Sequence, residues 1–148
     1  MISFDSNILV YAVDRDVGDR HARATDLIER AIRAGNCIQP LQTLSEFFAV
    51  ATRKIGMRPE TAAVFVEGWQ AVIQVEAASI SDLADAMRVV HEHGLSFWDA
   101  LLWATTRRIG VGLLLSEDLQ DGRILEGVRF ANPFAAHNDA MIDREMPR

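Results

Sequence analysis

The chain has 148 residues, the size of one domain with a core of useful size. Its 49% apolar and 24% charged shares are those of an ordinary globular protein, and no apolar run approaches the roughly 20 residues that span a bilayer. The net charge of −6 argues against a broad basic face for nucleic acid, but divalent cations cancel carboxylate charge locally, so nucleic-acid chemistry stays open.

The opening MISFDSN lacks the basic stretch and long apolar segment of a signal peptide. Cys37 is the only cysteine, which excludes an intrachain disulfide and fits a reducing, cytoplasmic setting.

Met1–Phe4 is apolar up to Asp5 and predicts a strand, and Asn7–Val13 predicts one or two helical turns. Asp19–Ala34 carries Ala22, Leu27, Ile28, Ala31 and Ile32 near a 3.6-residue period, with Gly35 as its stop. Asn36–Gln39 predicts a strand closed by Pro40. Leu41–Ile55 predicts a helix with Leu44, Phe47, Phe48 and Ala51 on one stripe, and Pro59 opens another to about Val72. Val75–Ala77 predicts a short strand and Ser81–His93 a helix stopped by Gly94. Ser96 is a good N-cap for Phe97–Ile109. Val111–Leu115 is the densest apolar run and the best strand, and Val128–Ala131 is the last. From about Ala135 onward the sequence is polar and predicts a loose tail, dividing the chain into a domain over residues 1–134 and a tail over 135–148.

Strands alternating with helices of this length predict an α/β fold with a parallel sheet covered on both faces. Ligands in such folds bind beyond the carboxyl ends of the strands, where Asp5 and Asp118 fall. Each acid has an ordinary structural explanation. Asp5 is placed as an N-cap, Glu46 lies off the apolar stripe of its helix, Asp99 gains from the dipole in a first helical turn, and Asp118 sits in a loop. Together they suggest a site for Mg²⁺, or Mn²⁺, which take oxygen ligands and keep several waters. Asn7 is a candidate for orienting a carboxylate.

Four motifs resemble those of PIN-domain proteins, and among them the VapC-type toxins of bacterial toxin–antitoxin pairs. They are MISFDSNILVYA, LSEF, SFWDAL and LLSEDLQDG, in order and spacing, closed by VRFANPF. The resemblance covers the chain to about Phe134. It implies a three-layer α/β/α fold with a mostly parallel sheet of four or five short strands. It also implies Mg²⁺-dependent endoribonuclease activity at Asp5, Glu46, Asp99 and Asp118. Asn7 and Ser116 match supporting positions, and Asp121 is a further supporting candidate. Glu117 and Asp121 rival Asp118 for the fourth acidic position. The resemblance further implies an RNA substrate, a VapB-like antitoxin partner and a homodimer.

Other classes fit less well. A response-regulator-like domain needs a late lysine, and Lys54 is the only one. A haloacid-dehalogenase-like phosphatase needs Asp at position 7, which is Asn. A non-catalytic domain whose acidic pocket binds an arginine-bearing peptide is the main alternative. His91 and His93 point about 200° apart on a helix and do not make one metal site. Trp69, Trp98 and Trp103 read as core or interface anchors. Arg15, Arg20, Arg23, Arg107 and Arg108 are candidates for phosphate contacts.

Overall fold

The computed structural model describes residues 1–148. The chain begins with β1 (Ile2–Phe4), α1 (Ser6–Val13), α2 (Asp19–Ala34), β2 (Ile38–Pro40) and α3 (Leu41–Arg53). It continues through α4 (Pro59–Gln70), β3 (Gln74–Glu76), α5 (Ile80–His93), α6 (Phe97–Arg108) and β4 (Leu113–Leu115). It ends with β5 (Ile124–Leu125), β6 (Val128–Ala131) and α7 (Asp139–Glu145). No helix is long and apolar enough to cross a membrane.

Strands β1, β4 and β6 are parallel neighbours, and β5 pairs antiparallel to β6 at the edge. The parallel pair β2–β3 joins β1 through an isolated bridge between Ile2 and Cys37. The six strands thus form a mostly parallel sheet, as an α/β fold of this kind requires. Alternation of side chains along a strand divides the core between its faces. Leu113 and Leu115 pack with Ile2, Phe4, Leu27 and Phe47 on one side, and Leu114 packs with Val89, Trp103 and Phe130 on the other. Trp103 is fully buried and its indole N–H donates to the Leu125 carbonyl at 3.0 Å.

Three features differ from the expectations above. Phe48 is 38% exposed, because Phe47 takes the core-facing position of α3. Strand β5 was not expected: two residues are too few for a period, and the turn into β6 uses positive φ at Glu126 and Gly127. The segment from Ala135 is no loose tail. Its last turns form α7, with Ile142 and Met146 fully buried. The Arg30 guanidinium, itself fully buried on α2, clasps it by donating to the Met146 carbonyl and to Asp143 (2.6 Å).

Candidate functional site

Register builds the centre of the site. Phe4 pairs with Leu115, so Asp5 and Ser116 leave the sheet side by side. The Asp5 amide donates to the Leu115 carbonyl (2.9 Å) and the Ser116 amide to that of Ala131 (3.0 Å). The Ser116 hydroxyl donates to Asp5 Oδ2 at 2.6 Å, while Oδ1 accepts the Ser6 amide at 2.7 Å and caps α1. The structural and functional readings of Asp5 therefore coexist, with one oxygen used by the helix start and the other turned to Ser116.

Ser116 is fully used. Its oxygen also accepts the amides of Asp118 (3.1 Å) and Leu119 (3.3 Å), which folds the strand end back and sets Asp118 at the site. In the first turn of the helix that Asp5 caps, Asn7 Nδ2 donates to Asp118 Oδ2 at 3.0 Å. Buried Gln39 ties the end of β1 to the start of α3. It exchanges hydrogen bonds with the Phe4 backbone (3.2 and 2.5 Å) and donates to Thr43. Further along α3, Gln42 Nε2 donates to Glu46 Oε1 (2.7 Å) and to the Trp98 carbonyl (2.9 Å), joining α3 to the first turn of α6, where Asp99 lies. The sequence reading missed Gln42. Its spacing of four residues before Glu46 on one helix face was the available signal.

Burial pushes the Asp5 carboxyl up from 3.8 to about 6. The Ser116 and Ser6 hydrogen bonds oppose this, and the negative charges of Glu46 and Asp99 add to it. Asp5, Glu46 and Asp99 thus share one electrostatic neighbourhood, and Asp118 joins it through Asn7 and Ser116. As the side chains stand, no three of the carboxylates converge closely enough to hold an ion among themselves.

The two rivals for the fourth acidic position are engaged elsewhere. Glu117 accepts from the Tyr11 hydroxyl (2.5 Å) and pairs with the Arg20 guanidinium, which holds its carboxyl below the usual range. The same contact pushes the Tyr11 phenol up to about 12. Asp121 accepts the Asn132 amide (2.8 Å) and Asn138 Nδ2 (2.9 Å) and pairs with His137 (2.7 Å). It anchors the stretch between β6 and α7 rather than the acid cluster.

The donors fit a hard cation. All are oxygen, the buried Asn7 Oδ1 and Gln42 Oε1 have no hydrogen-bond partner, and a crowded, desolvated carboxylate gains most from a positive charge. Mg²⁺ commonly uses only one or two carboxylates and keeps its waters, so direct convergence of three acids is not required.

A mostly parallel α/β sheet with acids gathered at its carboxyl edge puts the candidate site where ligands of such folds bind, and the sequence narrows the class. Residues 2–122 match the PIN domain model, and the chain belongs to the PIN-domain family. Members are typically nucleases that use Mg²⁺. No curated protein sequence matches the chain. Among solved structures, the chain is similar to VapC20 of Mycobacterium tuberculosis, described as a sarcin-ricin loop cleaving toxin. The identity is 22% and the TM-score 0.60, over 77% of this chain and 87% of that one. It is also similar to a chain of a toxin–antitoxin complex from Klebsiella pneumoniae (22%, TM-score 0.60, 90% and 98% covered). A third likeness is to DNA-bound VapBC from Salmonella typhimurium (14%, TM-score 0.63, 89% and 97% covered). At these identities the likeness establishes the fold.

Proposed function

We propose that this chain is a Mg²⁺-dependent endoribonuclease acting as the toxin of a type II toxin–antitoxin pair. The observation that carries the reading is the hydrogen-bonded set at the carboxyl edge of β1 and β4, in which Ser116 holds Asp5 and Asn7 holds Asp118, with Gln42 joining Glu46 to the helix turn that bears Asp99.

Asp5, Asp99 and Asp118, with Glu46, would hold the ion, and Mn²⁺ has the same donor preference. When bound, such an ion lowers the pKa of its water and polarises the phosphoryl group. The chain's own residues do the rest. Ser116 and Ser6 fix both Asp5 oxygens, and Asn7 fixes one Asp118 oxygen. Gln42 occupies Glu46 Oε1, leaving Oε2 to orient a water or accept its proton. Ser116 and Asn7 act as positioning residues, and Asp121 stabilises the fold beside the site.

The acidic mouth also suits an arginine of an antitoxin peptide, which would block it by pairing with the same carboxylates. A homodimer accords with the exposed apolar residues Ile80, Leu83 and Met87 of α5. The test uses chain purified free of partner and mixed cellular RNA, with Mg²⁺ or with chelator. Cleavage that requires the metal and disappears in both Asp5→Asn and Asp99→Asn is expected. Folded wild-type protein that cuts no RNA would favour a purely non-catalytic, arginine-binding domain.

A further inference from the structure

Beside the acids runs a groove of about 870 Å³ between α3 and the start of α6. Its α3 wall is one helical stripe, in which Gln42, Glu46, Ala49, Val50 and Arg53 recur at intervals of three and four residues. The stripe passes from acid through apolar to cation, and Glu46 and Arg53 lie about 10 Å apart along the helix axis. The facing wall carries Trp98, which is 62% exposed. Its backbone is held by Gln42 (2.9 Å), and its ring meets Phe97 edge to face with centroids 5.0 Å apart. The indole is therefore held in place without being buried.

The cations around the molecule are unequal. Of the five arginines that the sequence suggested for phosphate contacts, Arg20, Arg23, Arg107 and Arg108 are each paired with carboxylates of the chain itself, and Arg15, away from the groove, is not. Arg53 and Lys54 line the groove and pair with none.

We propose that this groove seats single-stranded RNA flanking the scissile phosphate, with Trp98 stacking on a base and Arg53 and Lys54 holding the backbone. The proposal rests on the ribonuclease reading of the adjoining acids. Charge complementarity selects the occupant. Two unpaired cations beyond an apolar floor suit a polyanionic strand, and a solvent-facing indole suits any base, because every base has a π-face. An apolar partner helix would bury the floor but would desolvate the cationic end without return.

The experiment measures fluorescence anisotropy of a short mixed-sequence single-stranded oligoribonucleotide with the full chain, in chelator at low salt. Mg²⁺-dependent cleavage is measured in parallel. Trp98→Ala is expected to weaken binding roughly tenfold, and Trp98→Phe to restore most of it, which a merely structural role would not require. Arg53→Ser with Lys54→Ser is expected to flatten the slope of log K against log[salt] by about 1.4. Unchanged binding and salt slope in these variants, with wild-type cleavage intact, would overturn the groove assignment and leave the nuclease reading standing. Trp98-dependent binding without cleavage would support the groove and remove the catalytic reading. A Trp98→Ala chain that binds the oligoribonucleotide as the wild type does but loses binding of an arginine-bearing apolar peptide, read by the same anisotropy, would show the groove to be a peptide dock and overturn the proposal.

Discussion

Replacing Asp5 by Asn should stabilise the metal-free protein, and by an amount that depends on pH. A carboxyl raised from 3.8 to about 6 by burial costs the folded state about 3 kcal/mol when it is ionised. Between about pH 4 and about pH 6 the folded chain keeps a proton on Asp5 that the unfolded chain has released. The wild type therefore loses stability as pH rises through that window. Asn carries no such charge, and any fixed offset from altered hydrogen bonds to Ser116 and Ser6 is independent of pH. The difference in unfolding free energy, variant minus wild type, should thus grow by up to about 3 kcal/mol from pH 3 to pH 8. In a chain of this length, that corresponds to a gain of roughly 6–12 °C in Tm. Urea unfolding of both proteins in chelator across that range measures it. A difference that stays flat, or shrinks as pH rises, would refute the claim that Asp5 is held ionised against its surroundings. The same variant is expected to lose RNA cleavage, so stability and activity should move in opposite directions.

Ser116→Ala removes the hydrogen bond that opposes the burial effect on Asp5, so the carboxyl midpoint should move above the wild-type value in an NMR titration of metal-free protein. Arg30→Met leaves the Met146 carbonyl without its guanidinium donor and Asp143 without its main cation. A loss of about 2–4 kcal/mol is expected, with early proteolytic release of α7; unchanged stability would show that the clasp is incidental. Ser79 caps α5 reciprocally with Asp82, and Ser79→Ala should cost about 1 kcal/mol in urea unfolding.

The sequence was most informative where one face of an element is apolar and a clear stop follows. Helix α2 and strand β6 have the predicted bounds, because Gly35 adopts the left-handed conformation that ends a helix cheaply and Asn132–Pro133 closes the strand. Periodicity could not show what an element packs against. Phe48 satisfies the period of α3, yet Phe47 takes the core position beside it. Helix α7 is short and charged, and its docking depends on Ile142, Met146 and an arginine 116 residues away on α2. At the site, chain order put Asp5 and Asp118 at strand ends, but strand register decides that Asp5 meets Ser116. Adjacent residues Glu117 and Asp118 are alike on paper. Only the positions of Tyr11 and Arg20 separate them, since these bind Glu117 and leave Asp118 to Asn7.

The Arg30 clasp also ties an early helix, α2, to a segment more than a hundred residues later in the chain. Its guanidinium is fully buried, yet its acceptors lie at Asp143 and Met146. A chain still emerging from the ribosome has every strand and all the candidate acidic residues before those acceptors exist. Without Asp143 and Met146, Arg30 keeps only Asp26, one turn away on α2, as a partner within the fold. Loss of the segment from Asp139 onward would therefore leave Arg30 a buried charge without the acceptors at Asp143 and Met146.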